Sequence, residues 1–280
     1  MDTLSYIFKK LIEYEADRTW FVVAIGGGIV CDVAGFAASI YMRGLRFGFV
    51  STTLLSQVDA SVGGKNGINF SKYKNMVGVF NQPEFVICDT SMLNSLEHAE
   101  FRSGFAEIIK AAAIKSQELF TYLEDHFAQA LENNYQVMEK IIYESVMIKS
   151  GIVESDEKEK GERKKLNFGH TFAHAIEHVS GILHGEAVSI GMIMAAKMSV
   201  ELGMLSEMEF IRLRNLIKKF KLPVNTDITI KELFTAIKKD KKREGEFIHM
   251  VLLDCIGKAR IEKISLKILE KTNYDLRQYN

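Results

Sequence analysis

The pattern of apolar and polar positions first predicts a layered α/β region. Residues 4–15, LSYIFKKLIEYE, carry apolar side chains at helical spacing. The segment TWFVVAI at 19–25 is β-branched and aromatic and leads into three glycines, which predicts a buried strand. A helix is expected in IVCDVAGFAASIYM, and FGFVSTTLL and FVICD predict short strands. This order of elements favours an α/β layer with a parallel sheet.

From about residue 93 the apolar positions change to a period of 3.6, which predicts a helical domain. The expected helices lie in residues 105–127, 135–153, 169–180, 186–204 and 209–220. Near the end, FIHMVLLD and KARIEKIS are separated by CIG and predict a small strand pair. We therefore expect an α/β domain over residues 1–92 and a helical domain over residues 93–280.

Composition narrows the function classes. Thirty-six Lys and Arg balance thirty-six Asp and Glu, so no overall field favours nucleic acid or an anionic membrane. Cys31, Cys88 and Cys255 are far apart, which indicates reduced thiols in a cytoplasmic protein. The most apolar long stretch, residues 187–205, contains Lys197 and Glu201, so no membrane span is expected.

Two glycine-rich stretches are candidates for binding an anionic ligand. AIGGGIVCDVAG, residues 24–35, places glycines between a strand and a helix, where backbone N–H groups can receive a phosphate. It departs from the dinucleotide fingerprint because Cys31 stands where a glycine is needed, and a ligand-free tight turn explains it equally well. Residues 57–78 look too glycine-rich for a regular element. Their polar side chains could hold an anionic group, and the alternative is a plain surface loop. These side chains are Asp59, Lys65, Lys74 and Asn75.

A carboxylate and several histidines form a candidate metal site. Glu107 lies on an apolar helix with Lys110 one turn later. His170, His174 and His178 recur every four residues, and His184 follows a short loop. One carboxylate with two imidazoles and an open position is typical of catalytic zinc, although histidine pairs at this spacing are also common without a metal. We expect His98, His126 and His249 to be structural.

Cationic residues accompany this cluster. A charged run directly before His170 could hold a carboxylate or phosphate. The candidate residues are Lys149, Glu159, Arg163 and Asn167. For the other lysines of this run, a solvated surface charge is the better explanation. Arg43 and the run Asp240, Lys241 and Lys242 are further cation candidates. These residues by themselves indicate a metalloenzyme that acts on an anionic small molecule.

Eight motifs in order closely resemble the 3-dehydroquinate synthase family of sugar-phosphate cyclases: GGGIVCDVAGF, YMRG, TTLLSQVDASVGGKNGIN, KNMVGVFNQP, GFAEIIK, ESDEKEKGERKKLNFGHTFAHAIE, LHGEAVSIGM and DKK. The resemblance implies a Rossmann-like NAD-binding α/β domain followed by a helical metal-binding domain. It also implies a cytoplasmic enzyme that acts as a homodimer.

The resemblance implies a role for each matched residue. The ligands of Zn²⁺ or Co²⁺ would be Glu107, His170 and His184, with His174 facing the substrate. The NAD contacts would be Gly27, Gly28, Ile29, Asp32, Thr52, Thr53, Asp59, Lys65 and Lys74. The substrate contacts would be Lys65, Asn75, Lys110, Lys149, Arg163, Asn167 and His174, with Arg43 reaching the phosphate in the other subunit. One lysine of the DKK motif also matches a phosphate contact.

The implied reaction converts 3-deoxy-D-arabino-heptulosonate 7-phosphate to 3-dehydroquinate and phosphate, in the shikimate pathway to chorismate and the aromatic amino acids. Transient oxidation by NAD acidifies a neighbouring C–H, phosphate is eliminated, the hydride returns, and an aldol step closes the carbocycle. Alternatives are another sugar-phosphate cyclase, a metal-dependent alcohol dehydrogenase of the glycerol dehydrogenase type, or an inactive fragment.

The sequence departs from the family pattern at its start. The family's first strands, with an acidic contact to the NAD ribose, find no counterpart, and Met1 falls close to where they end. The expectation is a chain that binds metal but binds NAD weakly and tends to aggregate through an open sheet edge. Ser51 and Cys31 replace a usual proline and a usual glycine without removing a proposed contact.

Overall fold

The computed structural model describes residues 1–70, 73–238 and 243–271, and gives the backbone alone at 73–75, 230, 238, 243–244 and 271. The chain divides into two compact units, residues 1–97 and 98–280. No described helix is long and apolar enough to span a membrane.

The first unit is an α/β layer. Its helices are α1 (Asp2–Glu13) and α2 (Gly28–Ile40), and its strands are β1 (Phe21–Gly26), β2 (Arg46–Ser51), β3 (Lys65–Phe70), β4 (Tyr73–Phe80) and β5 (Val86–Cys88). Short helical turns cover Tyr41–Arg43, Ser56–Ala60 and Thr90–Ser95. The order β1-β2-β5 forms a parallel sheet, as predicted.

Helix α2 organises the core of this unit, because it is apolar on two sides. On one side Cys31 and Ala38 pack against Phe47 and Phe49 of the sheet. On the other side the α2 residues Phe36 and Ala37 pack with α1 and with β3. The carboxyl end of β1 therefore leads directly into a helix that is fixed on both sides, and this connection carries the three glycines of the candidate phosphate turn.

The expectation that residues 57–78 lack a regular element is wrong. Strands β3 and β4 form an antiparallel hairpin in which Gly67 lies opposite Gly78. A Cβ atom on Gly67 would lie 2.7 Å from the carbonyl oxygen of Val77, and one on Gly78 would lie 2.5 Å from that of Asn66. Here the glycines permit close pairing of two strands, so their presence indicated packing rather than a loop.

The predicted strand FGFVSTTLL is shorter than expected, because β2 ends at Ser51. The Thr53 hydroxyl accepts a hydrogen bond from the amide of Ser56 at 3.2 Å, and the Thr53 carbonyl accepts one from Gln57 at 3.0 Å. These bonds turn the chain into the helical segment Ser56–Ala60.

The second unit is mainly helical, as predicted. Its helices are α3 (His98–Lys115), α4 (Gln117–Leu131), α5 (Tyr135–Ser155), α6 (His170–Ser180), α7 (His184–Glu201), α8 (Glu207–Lys219), α9 (Ile230–Lys238) and α10 (Leu266–Lys271). Side-chain caps start several of them; for example, Ser116, Asn134 and Ser206 each accept a hydrogen bond from a first-turn amide. The predicted strand pair is confirmed as β7 (Phe247–Cys255) and β8 (Lys258–Ser265), with the short β6 (Arg243–Glu244) beside β7.

Helices α3 and α7 form the centre of this unit, and both are buried on nearly all sides. Their close contact depends on Gly185, since a Cβ atom there would lie 2.0 Å from the carbonyl oxygen of Ser103. The Gly185 amide also donates to the Ser103 hydroxyl at 3.0 Å. The first turn of α7 is therefore held against α3, and this turn begins with His184.

Candidate active site

Three side chains from three helices of the second unit meet at one point. Glu107 lies in the middle of α3, and His170 and His184 are the first residues of α6 and α7. The Oε1 atom of Glu107 lies 3.1 Å from Nε2 of His184 and 3.7 Å from Nε2 of His170. One ligand atom from each residue lies within 4.8 Å of the other two. Two imidazole nitrogens and one carboxylate oxygen form a donor set that suits a divalent transition metal such as zinc.

Burial gives this cluster a strong electrostatic character. The Glu107 side chain is 1% exposed, and its second oxygen forms an ion pair with Lys110, which is 3% exposed. Burial opposes ionisation of Glu107, but the ammonium of Lys110 and the hydrogen bond with His184 hold its pKa well below the ordinary value. Burial, together with the charge of Lys110, lowers the pKa of His170 well below its usual range. The cluster therefore offers an ionised carboxylate and a neutral imidazole, which are the forms that bind metal.

His184 lies between two carboxylates. Its Nε2 atom faces Glu107, and its Nδ1 atom lies 3.1 Å from Oε1 of Glu177 on α6. Burial disfavours the charged ring, yet the hydrogen bonds to Glu107 and Glu177 outweigh burial and raise the pKa of His184 to about 10. Without a metal the protonated ring balances the negative charge of Glu107, and metal binding would displace that proton.

The other histidines of α6 are exposed to solvent and stand outside this donor set. The rings of His174 and His170 are 5.5 Å apart, centroid to centroid, and meet edge to face. His178 is exposed one turn later. Regular spacing on one helix face therefore does not decide the ligands here, because the second imidazole comes from the start of α7.

The charged run before α6 folds into a compact turn in which Arg163, unlike the exposed Lys158, is buried. Asp156 accepts hydrogen bonds from the amides of Lys160, Gly161 and Arg163 at 2.9, 2.7 and 3.1 Å. These bonds, with that of Gly161 first, lower the pKa of Asp156. They fold the loop, and the next residues form a helical turn, Glu162–Asn167, in which the Arg163 side chain is 2% exposed.

Further polar side chains border this turn. The amide of Asn167 donates to Oε1 of Glu159 at 2.6 Å. Lys149, on α5, is 8% exposed, so it is buried in the helical unit as Lys110 and Arg163 are. Asp240, Lys241 and Lys242 lie outside the described residues.

In the first unit the three glycines form a tight connection between β1 and α2. Gly27 is the N-cap residue of α2, so the helix starts without a side-chain cap. A Cβ atom on Gly27 would lie 2.9 Å from the side chain of Thr53, and one on Gly28 would lie 2.8 Å from that of Ala60. The turn therefore packs against the helical segment that carries Asp59. The first backbone amides of α2, a helix of thirteen residues, lie at this turn, where Gly27 and Gly28 have no side chains. A phosphate group fits such a helix N-terminus.

The remaining predicted residues of this unit take various positions. Ile29 is 81% exposed at the first turn of α2, Asp32 follows one turn later, Thr52 comes directly after β2, and Lys65 begins β3. Lys74 and Asn75 belong to β4, but their side chains lie outside the described part of the chain. Arg43 is exposed in a turn where both Met42 and Arg43 adopt positive φ, 49° and 71°.

Comparison with known proteins decides what these sites belong to. The sequence profile described as "3-dehydroquinate synthase N-terminal" matches residues 1–103, and "3-dehydroquinate synthase C-terminal" matches residues 104–243. The chain belongs to the 3-dehydroquinate synthase family. The fold and the enzyme class that the sequence motifs implied are thereby confirmed.

Curated members of the 3-dehydroquinate synthase family are similar to the chain over most of its length. The synthase of Campylobacter curvus is 44% identical over 92% of this chain and 74% of its own length. That of Thermodesulfovibrio yellowstonii is 44% identical over 95% of this chain and 76% of its own length. The chain thus spans about three quarters of the length of these relatives.

Solved structures of other enzymes share the fold of this 3-dehydroquinate synthase family member. The 2-epi-5-epi-valiolone synthase of Streptomyces hygroscopicus, solved with NAD⁺ and Zn²⁺ bound, has a TM-score of 0.92 and 28% identity over all of this chain and 80% of its own. A 2-deoxy-scyllo-inosose synthase complexed with carbaglucose-6-phosphate, NAD⁺ and Co²⁺ has a TM-score of 0.83 and 26% identity over 96% of this chain and 78% of its own. A probable glycerol dehydrogenase of Sinorhizobium meliloti, at 15% identity and a TM-score of 0.58 over 86% of this chain and 74% of its own, shares the fold alone.

Sequence reasoning missed two side chains that shape the metal-binding half of this 3-dehydroquinate synthase fold. Glu177, the neighbour of His184, was readable as the residue seven positions after His170 on the same face of α6. Asp156, which folds the loop before Arg163, stood inside a charged run where its role had no distinguishing pattern.

Proposed function

We propose that this chain converts 3-deoxy-D-arabino-heptulosonate 7-phosphate to 3-dehydroquinate and inorganic phosphate with Zn²⁺ or Co²⁺ and NAD as cofactors. The observation that carries the proposal is the cluster of Glu107, His170 and His184, buried beside Lys110 in a chain of this family. Such a cluster is a metal site with a cation next to it, and so suits a substrate that carries both a hydroxyl group and negative charge.

Glu107, His170 and His184 would hold the metal, and the buried cations would orient the substrate. A divalent metal at these three side chains supplies Lewis acidity, which favours ionisation of a substrate hydroxyl group. Lys149 and Arg163 are both buried, so their charges are not screened by solvent and suit the substrate carboxylate. The other proposed substrate contacts are Asn167, Lys110, Asn75 and Lys65.

The glycine turn of the first unit would receive the NAD pyrophosphate. NAD supplies a transient acceptor for the hydride of the substrate, and returns it within the same turnover. The amides at Gly27, Gly28 and Ile29 lie at the N-terminus of α2, where the helix dipole favours a phosphate. The remaining proposed NAD contacts are Asp32, Thr52, Thr53, Asp59, Lys65 and Lys74.

His174 is proposed as the side chain that exchanges a proton with the substrate. Its ring is exposed, and it lies one helical turn beyond His170. An imidazole is suited to this role near neutral pH because its ordinary pKa lies close to the working pH. Its position beside a metal ligand, but outside the donor set, supports a role in proton transfer rather than in metal binding.

We further propose a homodimer in which Arg43 contacts the phosphate bound by the partner subunit. Arg43 is exposed in a turn with two successive left-handed residues, a conformation that costs free energy and so points to a functional constraint. Light scattering of the purified protein would measure the mass. A dimer of 31.7 kDa chains is expected, and a monomer at working concentration would contradict this part of the proposal.

The proposal is tested by measuring inorganic phosphate and NADH together during turnover of the heptulosonate phosphate. Repeated phosphate release with NAD present in less than stoichiometric amount, and with no accumulation of NADH, is the expected result. Steady NADH formation from a simple polyol would favour the alcohol dehydrogenase alternative. Release of a cyclised product only from a substrate without a carboxylate would favour another sugar-phosphate cyclase.

A matched pair of variants sharpens this test. Arg163→Lys keeps the charge but loses the planar fork, and it should lower kcat/KM by about a hundredfold or more, since a buried charged contact is weakened. Lys158→Met removes an exposed charge from the same loop and should leave kcat/KM unchanged. Equal effects of both variants would contradict a specific role for Arg163.

A further inference from the structure

Glu177 is a buried carboxylate on α6 that contacts one of the proposed metal ligands. Its side chain is 7% exposed, and its Oε1 atom lies 3.1 Å from Nδ1 of His184. The Nε2 atom on the opposite side of the same ring faces Glu107. The imidazole of His184 is thus held at both nitrogens, and only one of these contacts belongs to the donor set for the metal.

The second imidazole of the site is held in the same sense by a different group. Nδ1 of His170 lies 3.3 Å from the carbonyl oxygen of Phe168, while its Nε2 atom faces Glu107 at 3.7 Å. Each ring therefore has an oxygen acceptor at Nδ1 and the metal-binding position at Nε2. An acceptor at Nδ1 keeps the proton on that nitrogen and leaves the lone pair of Nε2 for the metal.

The two acceptors differ in strength because one is charged. The carbonyl of Phe168 is a neutral acceptor, whereas Glu177 is a carboxylate, and a charged acceptor makes the stronger hydrogen bond. His184 needs this support more than His170 does, because its side chain is 30% exposed against 12% for His170. Packing alone therefore fixes the His184 ring less well.

The sequence explains why Glu177 is available at this point. Residues 170–177, HTFAHAIE, place His170 and Glu177 seven positions apart, which is two turns along one face of α6. One helix thereby provides a ligand at its first residue and, two turns later, the group that contacts the ligand at the start of α7.

We propose that Glu177 is a positioning residue of the metal centre, which fixes the tautomer and orientation of His184 and so raises the affinity of the site for a divalent metal. This inference rests on the proposed metal-dependent function. Loss of such an outer contact typically weakens metal binding by about 10- to 100-fold.

The test uses the full chain and measures zinc affinity by competition with a chelator for the parent, Glu177→Ala and Glu177→Gln. Glu177→Ala should weaken zinc binding by about 10- to 100-fold. Glu177→Gln keeps an oxygen acceptor without the charge and should weaken binding less. Glu186→Gln is the matched control, since Glu186 lies two residues from His184 but hydrogen-bonds the amide of Leu183 at 3.3 Å, and it should stay within about twofold of the parent.

A second readout separates positioning from general stability. With cobalt in place of zinc, Glu177→Ala should alter the visible absorption of the bound ion, because the His184 ring turns, while Glu186→Gln should preserve the parent spectrum. A merely structural role would lower the thermal midpoint of the metal-free protein and leave both zinc affinity and spectrum unchanged, and this result would overturn the proposal. If Glu177→Ala does not fold, unchanged zinc affinity in Glu177→Gln overturns it equally. A parent that binds no zinc would contradict the proposed function itself, together with this inference.

Discussion

The proposed sites of the two units differ in the chemical groups that form them. In the first unit the site is backbone: glycines between β1 and α2, a helix N-terminus, and small side chains such as Thr53 and Ala60 packed against them. In the second unit the site is side chain: a carboxylate, two imidazoles and a lysine, nearly all of them buried and in mutual contact.

This difference follows from what each ligand requires. A dinucleotide phosphate needs space and N–H donors, and both are provided by the absence of side chains. A divalent metal needs several donor atoms at fixed distances, so the side chains that carry those atoms must be buried, oriented and balanced in charge. A substitution in the first unit should therefore act by filling space, whereas one in the second should act by leaving a charge without its partner.

The largest effect is expected at Lys110. Lys110→Met leaves the Glu107 carboxylate, 1% exposed, without its ion-pair partner, so the metal-free protein should lose about 3 kcal/mol of unfolding free energy. Zinc should restore much of this loss, because its charge replaces that of the lysine. Urea unfolding with and without zinc measures both quantities. Lys115→Met, an exposed change on the same helix, is the control, and an equal loss in both variants would refute the electrostatic explanation.

A smaller effect, confined to the first unit, is expected at Gly28. Gly28→Ala places a Cβ atom 2.8 Å from that of Ala60, so the turn must shift and NAD affinity should fall by about tenfold, while zinc content stays unchanged. Gly151→Ala, where a Cβ atom meets nothing within 4 Å on α5, should instead leave NAD affinity unchanged and stabilise the protein by about 0.5–1 kcal/mol. Calorimetric titration with NAD would reveal the difference. Unchanged NAD affinity in Gly28→Ala would show that the turn is only structural.

The smallest effect on activity is expected from an alkylating reagent that attacks the thiols of the first unit. Burial raises the pKa of Cys88 to about 11, and burial likewise raises that of Cys31. At pH ~8 the Cys88 thiolate is then more than about a hundredfold scarcer than in an unfolded chain. We therefore expect the reagent to label Cys88 in the folded protein more slowly than in the unfolded protein by that factor. The folded protein should keep its activity in the presence of the reagent. Rapid labelling of Cys88 in the folded protein would contradict the burial on which this prediction rests.

The fold was largely predictable, because helix and strand periods differ strongly on either side of residue 92. The hairpin β3–β4 was not, since its glycines look like a loop and only the opposing backbone of Gly67 and Gly78 explains them. A strand pairing is a contact between distant positions, and propensity along the chain does not contain it.

The metal site shows the same limit at the level of side chains. The spacing of His170, His174 and His178 indicates one helix face, but the choice of His184 as the second imidazole depends on how α7 packs on α3 through Gly185. The family resemblance implied the set that the structure brings together, while spacing alone left the set open. The spacing of Glu177 from His170 was visible in the sequence, but its role was not, because a carboxylate on a helix is ordinarily solvated and the burial of Glu177 appears only when α6 and α7 are brought together.

The most direct test of the whole account is to measure bound zinc and phosphate release in His184→Ala and His174→Ala. The account predicts that His184→Ala loses zinc and turnover together, because it removes one of three donors. His174→Ala should retain one zinc per chain and lose turnover, since its ring lies outside the donor set. Loss of zinc from His174→Ala with retention in His184→Ala would contradict the account, since the metal would then be held by the histidines of α6.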